Sequence, residues 1–256
     1  MSNQVEKFKP QTVRSEVIGQ MEAMLKSKFV SLPENYKSSV YFAMEKLSTM
    51  EDIEKVPSIE ITKALIEVFE NNLDFQKNHC YFFVQNDKNS TTGKSLRFGW
   101  QYQGLISVAK SDCGVKDVYP VLINEKDKFD MFYENGNLVV KNHKPTFEGK
   151  LTGGYCVVAF EDGSIKSRYY TMDELEMRRN SSKASKGHFW KWEREMYEKT
   201  LINAYLKRLI ETSPDTKTEG LYNEEEETVD VNHRDVIEDA VIEQNDTTEE
   251  PEQVDI

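Results

Sequence analysis

A helical repeat with two unlike faces, residues 190–209, constrains the fold of this chain more than any other feature. At about 100° per residue, polar residues share an arc of roughly 100°: Lys199, Thr200, Asn203 and Lys207, with Trp192 and Met196 toward the helix start. The opposite face has core character and consists of Trp190, Tyr197, Leu201, Tyr205 and Leu209. The pattern predicts a long helix that begins at the two tryptophans. Its polar face would suit a polyanion that offers flat bases, and an ordinary amphipathic surface helix would show the same pattern.

The charge of the chain is distributed very unevenly. The net charge of −12 includes 17 acidic and 2 basic residues in residues 211–256, whereas residues 1–210 contain 28 acidic and 31 basic residues. Residues 164–208 alone hold 11 basic and 6 acidic residues. Clustered positive charge is the electrostatic footprint of a nucleic-acid-binding protein, and the acidic last part of the chain hides it in the total.

The same distribution divides the chain into three parts. Residues 211–256 are too polar to bury enough surface to offset the entropy of ordering them. We expect a disordered acidic tail there, a flexible leader over residues 1–10, and one folded domain over residues 11–210.

Periodicity within the folded part predicts an α+β fold. Helical spacing marks three N-terminal helices, at residues 11–29, 35–47 and 58–73. Period-two patterns then mark strands at residues 80–84, 96–100, 115–124, 128–133, 138–141, 153–160 and 165–170. A short helix is expected at residues 101–110, and capping-box spacing starts another at residue 171 that runs to about residue 179. These elements predict N-terminal helices, a small antiparallel sheet and a long C-terminal helix.

Several classes of protein are not indicated. No apolar run approaches the roughly 18 residues of a membrane span, and the first residues do not resemble a signal peptide. The cysteines Cys80, Cys113 and Cys156 are widely separated, and neither they nor the four histidines have metal-site spacing. We therefore expect a protein of the cytoplasm, with buried thiols and no metal.

No motif for nucleotide use or catalysis stands out. Gly93, Lys94 and Ser95 imitate the end of a phosphate-binding loop, but Lys88 stands where that loop needs another glycine. No spacing of serine, cysteine, histidine or carboxylates suggests a nucleophile or a nuclease centre. We expect a protein that is not an enzyme and needs no cofactor.

Cations and their polar or aromatic neighbours remain as the functional candidates. Serine and threonine hydroxyls around them are uncharged partners for phosphate. Charge that follows the backbone, together with stacking rings, is the mode by which proteins bind single strands with little sequence preference. The candidate DNA-binding residues are Arg97, Gln101, Lys110, Arg168, Arg178, Arg179, Lys183, Lys186, Lys191, Trp192, Lys199, Thr200 and Lys207.

Four stretches carry a resemblance to a known family. They are LRFGWQYQGLISVAK at residues 96–110, VAFEDG at 158–163, RNSSKA at 179–184, and EMYEKT at 195–200 followed by Lys207. In this order and at these distances they resemble the RecT family, phage-type single-strand annealing proteins related to Redβ. The resemblance covers roughly residues 10–210.

The resemblance implies ATP-independent binding of single-stranded DNA and annealing of complementary strands. It further implies a β-hairpin-plus-helix core and protomers assembled side by side into rings or helical filaments. The DNA backbone would lie in a continuous basic groove, with the bases left accessible for pairing. The implied partners are single-stranded DNA, the annealed duplex, other copies of the chain, a phage exonuclease and the single-strand-binding protein of a bacterial host.

Carried over residue by residue, the resemblance selects a subset of the candidates. It points to Arg179 and Lys183 in the serine-rich loop and to Lys199, Thr200 and Lys207 on the last helix. Tyr102 and Gly104 match a family aromatic residue and glycine, for which it implies a structural role.

Two departures from the family pattern concern the last helix and the tail. Asn203 and Ala204 stand where the family often has two basic residues. The acidic terminus would repel the acidic tail of a host single-strand-binding protein, and we hypothesise that it instead limits non-specific binding by competing with DNA.

Three other functions fit the same residues. A single-strand binder would hold DNA without accelerating annealing, and a phage nuclease or other DNA-processing enzyme would consume DNA in a metal-dependent way. A structural or interaction protein would use its basic face, the surface that carries these cations, to bind an acidic protein.

Overall fold

Three helices open the part of the chain that the computed structural model describes, which comprises residues 10–28, 36–134, 137–181 and 185–213. They are α1 (Pro10–Lys28), α2 (Tyr36–Leu47) and α3 (Ser58–Glu70). The predicted leader, apart from residue 10, and the predicted tail from residue 214 lie outside the described residues.

Helix α3 ends earlier than its periodicity predicts, and the reason is local. Asn72 has a φ of 54°, which is the left-handed conformation that closes many helices. The N–H of Leu73 bonds to the carbonyl of Val68 at 3.0 Å, and the N–H of Asn72 bonds to Phe69 at 3.1 Å. These two bonds form a Schellman motif, which satisfies the last carbonyls of the helix.

In the described part of the chain, seven strands form three separate antiparallel sheets. Strands β1 (Cys80–Asn86) and β2 (Lys94–Trp100) pair with each other, and α4 (Tyr102–Asp112) follows. The central sheet has the order β3-β6-β7 and contains β3 (Val115–Asn124), β6 (Leu151–Phe160) and β7 (Ile165–Thr171). Between β3 and β6 lies a hairpin of β4 (Lys128–Glu134) and β5 (Asn137–Lys144). The predicted α+β class, with N-terminal helices and small antiparallel sheets, is confirmed.

The Asp-Gly dipeptide at residues 162–163, which is typical of hairpin turns, forms the turn between β6 and β7. Gly163 has a φ of 82°, and its N–H bonds to the carbonyl of Phe160 at 3.0 Å. Asn135 and Gly136, which predict the turn between β4 and β5, lie outside the described residues.

The capping box predicted at residue 171 starts α5 (Met172–Ser181). The N–H of Thr171 donates to Glu174 Oε2 at 2.8 Å, and the N–H of Glu174 donates to Thr171 Oγ1 at 3.2 Å. Each residue thus satisfies a free N–H of the first helical turn.

The last helix, α6 (Glu193–Glu211), starts three residues later than predicted. Trp190 and Trp192 instead lie in a 3₁₀ turn, His188–Trp192. Trp192 has a ψ of 59°, which no α-helix accommodates, so its ring does not belong to the polar arc of the helix.

Helix α6 is buried on two sides, where the sequence predicts one. Leu201 lies against Gly154 of β6, and Lys199 lies over the ring of Tyr102 on α4. The helix thus packs between the central sheet and α4, which explains a second buried stripe. Its buried side chains are Tyr197, Leu201, Ile202, Ala204, Leu206 and Ile210. Among the described residues, no helix is both long and apolar enough to cross a membrane.

Replacing Gly104 by alanine should destabilise the fold. A Cβ at this position of α4 would lie 2.2 Å from the carbonyl oxygen of His79 and 3.1 Å from Leu73 Cδ2. Relieving that overlap should cost about 1–3 kcal/mol and lower the Tm by roughly 3–10 °C. The matched control is Gly19→Ala in α1, where a Cβ meets nothing within 4 Å, and which should leave the Tm unchanged or raise it. Equal thermal melts for the two variants would contradict the packing argument.

Candidate nucleic-acid interface

Two adjoining hollows form one groove between β7 and the C-terminal half of α6. The larger has a volume of about 580 Å³ and the smaller about 300 Å³, and they share Arg168, Arg208 and Thr212. Tyr133 and Asn137 of the β4–β5 hairpin also line the larger hollow. We call this feature the β7–α6 groove. Its charged lining residues are Lys166, Arg168, Glu174, Arg178, Lys207, Arg208 and Glu211.

Strand β7 places two of these cations through its alternation. Lys166 and Arg168 pair with Val158 and Cys156 of β6, both of which are fully buried. Neighbours across a sheet share a face, so the two cations lie on the side of the sheet that carries the core. The guanidinium of Arg168 lies 4.9 Å from the centre of the Tyr170 ring, which fixes its direction.

The ends of two helices supply the other cations. Arg178 is in the last turn of α5, and Arg208 is in the last turn of α6. Cations are favoured at these positions because the free carbonyls carry partial negative charge. Helix stability alone would therefore explain an arginine in the last turn of each helix. It would not explain why the two arginines lie in the same groove beside β7.

The positive charge of the groove is largely unneutralised. Within the described part of the chain, Lys166, Arg168, Arg178 and Arg208 form no ion pair with a carboxylate. Of the two carboxylates that line the groove, Glu174 is engaged with Thr171 in the capping box. Unpaired cations in a concave surface concentrate the potential and attract a polyanion.

The phenols of the groove add no negative charge. Burial raises the pKa of Tyr170 to about 12, and burial likewise raises the pKa of Tyr205 to about 12. Both are therefore neutral near pH 7. Tyr133, which is 62% exposed, offers a ring on which a base could stack.

Three predicted contacts outside the groove are neutralised by neighbouring carboxylates. Arg97 lies 3.5 Å from Asp87, and Lys110 lies 3.6 Å from Asp117. Arg179 lies 3.5 Å from both Glu176 and Glu193. Because these cations already have carboxylate partners, they are poorer sites for phosphate than the four groove cations that have none among the described residues.

Other predicted contacts hold the fold together. Gln101 is 7% exposed, and Thr200 Oγ1 donates to the carbonyl of Met196 at 2.8 Å within α6. Arg179 also donates to the hydroxyl of Tyr197 at 3.3 Å and lies over the Trp190 ring at 4.3 Å. Lys199 lies 5.9 Å from the centre of the Tyr102 ring. These contacts explain the positions of the four side chains without any ligand.

A second, smaller surface lies at the 3₁₀ turn before α6. Lys191 lies 4.3 Å from the centre of the Trp192 ring, which is 41% exposed, and Lys186 is exposed. Lys183, predicted as a contact from the same loop, lies outside the described residues. Of the thirteen predicted residues, the structure therefore gathers Arg168, Arg178 and Lys207 in the groove.

Two cations of the groove, Lys166 and Arg208, are not among the predicted DNA-binding residues. Lys166 could have been found from its i, i+2 relation to Arg168 on a predicted strand, which puts both on one face. Arg208 falls on the apolar side of the helical wheel, and nothing in the sequence indicates that this position is exposed and lines the groove.

A groove lined with cations, four of which have no carboxylate partner among the described residues, is the electrostatic footprint of a nucleic-acid-binding protein. A comparison with protein families identifies the class more narrowly, because the model of the RecT family matches residues 38–242. The match covers most of the sequence, so the chain belongs to the RecT family, and the predicted resemblance is confirmed. This family consists of phage-type proteins that anneal single-stranded DNA in recombination. A search of curated proteins finds no match.

Proposed function

We propose that this chain is an ATP-independent single-strand annealing protein that holds the DNA backbone in the β7–α6 groove. The observation that carries the proposal is the gathering of Lys166, Arg168, Arg178 and Arg208 in one groove, where none of them has a carboxylate partner among the described residues. Each phosphate that they neutralise releases counterions, which drives binding and makes it sensitive to salt.

Annealing by this route requires no catalytic residue. Two complementary strands repel each other through their phosphates, and a cationic groove lowers that repulsion while the bases remain free to pair. Each stacked base-pair step contributes about 1.4 kcal/mol, so pairing itself is downhill and no nucleotide hydrolysis is needed. Base pairing supplies the specificity, and the protein supplies neutralisation and alignment.

A single groove is short compared with a DNA strand, so we propose that several copies align their grooves in a ring or helical filament. The bound species would be single-stranded DNA and the annealed duplex, in the cytoplasm of a bacterial host. Family membership supports a phage exonuclease and the host single-strand-binding protein as further partners.

The test is annealing of two complementary labelled oligonucleotides with and without the protein, in the absence of nucleotide. We expect acceleration that needs neither ATP nor metal and that fades as salt is added. Binding without acceleration would reduce the function to that of a single-strand binder. Metal-dependent loss of the oligonucleotides would indicate a DNA-processing enzyme, and the absence of binding would refute the proposal.

A further inference from the structure

We infer that residues 214–256 of the same chain dock in the β7–α6 groove and occupy it until nucleic acid displaces them. The inference rests on the proposed function in one respect, because it assigns the tail to the groove proposed for DNA. It goes further by giving the groove a second, intramolecular ligand of defined chemistry, an acidic peptide.

The point at which the chain leaves the described structure favours this occupant. Helix α6 ends at Glu211, and Thr212 lines both hollows of the groove. The N–H of Thr212 bonds to the carbonyl of Arg208 at 3.2 Å, and its hydroxyl donates to the same carbonyl at 2.9 Å. The segment that follows Ser213 therefore starts from a fixed point on the wall of the groove.

The length of the segment allows it to reach the groove. The acidic run Glu224–Glu227 begins eleven residues after Ser213, and an extended chain spans about 3.3–3.6 Å per residue. The run can thus lie anywhere within about 35–40 Å of the end of α6. This radius is several times the dimensions of a hollow of about 580 Å³, so the tether does not restrict which groove cation the run can meet.

The charges of the segment and the groove are complementary. Residues 214–256 contain 16 acidic and 2 basic residues. Carboxylates accept paired hydrogen bonds from arginine much as phosphates do, and Arg168, Arg178 and Arg208 have no carboxylate partner among the described residues. Because the segment is tethered, its effective concentration at the groove is of millimolar order, so weak individual contacts suffice to populate the docked state.

A docked tail would set a threshold for DNA binding. If the groove is free for only a tenth of the time, the apparent affinity for DNA falls about tenfold. A long strand could still displace the tail because it engages the grooves of several copies at once, whereas short or isolated contacts would be suppressed.

Carbodiimide cross-linking of the full-length protein tests docking without reference to DNA binding. This reagent joins a lysine amine to a carboxylate only when the two are in direct contact. At low salt we expect Lys166 and Lys207 to be joined to peptides from residues 214–256, with a yield that does not depend on protein concentration. Added oligothymidylate should lower the yield. Cross-links that are absent, or whose yield rises with protein concentration because another copy supplies the tail, would overturn the inference.

A second experiment measures the consequence for DNA binding. The full-length variant Glu224→Gln, Glu225→Gln, Glu226→Gln, Glu227→Gln should bind a single-stranded oligonucleotide about three- to tenfold more tightly at low salt, and the gain should disappear at high salt. Equal affinities with no cross-links would reject tail docking but leave the groove as the DNA site. Cross-links in a protein that binds no DNA would retain the docking inference and reject the proposed function instead.

Discussion

Replacing Arg168 and Arg208 together by glutamine should weaken the binding of single-stranded oligonucleotides by roughly a hundredfold, about tenfold or 1.4 kcal/mol for each contact. Both guanidinium groups lie in the β7–α6 groove and lack a carboxylate partner among the described residues. Glutamine retains much of the aliphatic stem of arginine, so the change removes charge more than packing. The proposed contacts are with phosphates and not with bases, so the loss should be about equal for all sequences.

The salt dependence of binding provides a sharper criterion than affinity alone. Each lost contact with a single strand should lower the slope of log K against log salt by about 0.7, hence by about 1.4 for the double variant. The measurement is fluorescence anisotropy at several salt concentrations, followed by the annealing assay.

The matched control is Arg97→Gln. Its guanidinium lies 3.5 Å from Asp87, on β2 rather than in the groove, so the affinity and the slope should change little. A double groove variant that kept the wild-type slope would show that the DNA phosphates lie elsewhere. An Arg97→Gln variant that lost as much as the groove variant would mean that the groove has no special role.

The sequence could not show which cations have a carboxylate partner in the folded protein and which do not. Sequence alone gives the position of each arginine but not the carboxylate that folding places beside it. Arg179 shows the difficulty, because the resemblance to the family assigns it to DNA, whereas the fold brings Glu193 of α6 within 3.5 Å of it. Arg208 shows the converse, since it falls on the apolar side of the helical wheel although its side chain is exposed and lines the groove.

The elements themselves were largely predictable because periodicity records local burial. The strands and helices of residues 80–181 lie within a few residues of their predicted bounds. The pairing was not predictable, because alternation shows which residues share a face but not which strand lies next to which. Strand β3 pairs with β6, with Val115 opposite Phe160, although the β4–β5 hairpin lies between the two strands in the sequence.

The β4–β5 hairpin is also the element whose attachment most clearly depends on one side chain, Asp127. Its side chain is fully buried and accepts hydrogen bonds from the N–H groups of Asn124 at 2.8 Å and Thr146 at 2.7 Å. The same carboxylate faces His143 Nε2 at 3.1 Å, and His143 Nδ1 lies 3.0 Å from the hydroxyl of Tyr155 on β6. The network therefore ties both ends of the hairpin to the central sheet.

Replacing Asp127 by asparagine should lower the free energy of unfolding at pH 7 by about 2–4 kcal/mol. The amide has one acceptor oxygen instead of two, so at least one buried donor loses its partner, and a lost charged acceptor costs about 1.5–3 kcal/mol. Urea denaturation measures the change. The control on the same hairpin is Asp130→Asn, whose partner Lys141 is 3.9 Å away with both side chains mostly exposed, and which should cost less than about 1 kcal/mol.

The pH dependence of this difference identifies its cause. Burial alone would raise the pKa of Asp127, but the hydrogen bonds from Asn124 and Thr146 and the contact with His143 outweigh it and hold the pKa well below its usual range. A carboxyl group whose pKa is lower in the folded state than in the unfolded state stabilises the fold. This stabilisation is fully present above the unfolded-state pKa of about 3.9, and it is lost as the pH falls toward the folded-state pKa. The destabilisation of Asp127→Asn should therefore be constant from about pH 7 to pH 5 and shrink below about pH 4. A difference that stayed the same in acid would mean that Asp127 acts through its shape, and not through its charge.

The same hairpin contributes Tyr133 and Asn137 to the lining of the β7–α6 groove. A variant that loosens the hairpin should therefore also bind single strands more weakly, while Asp130→Asn should not.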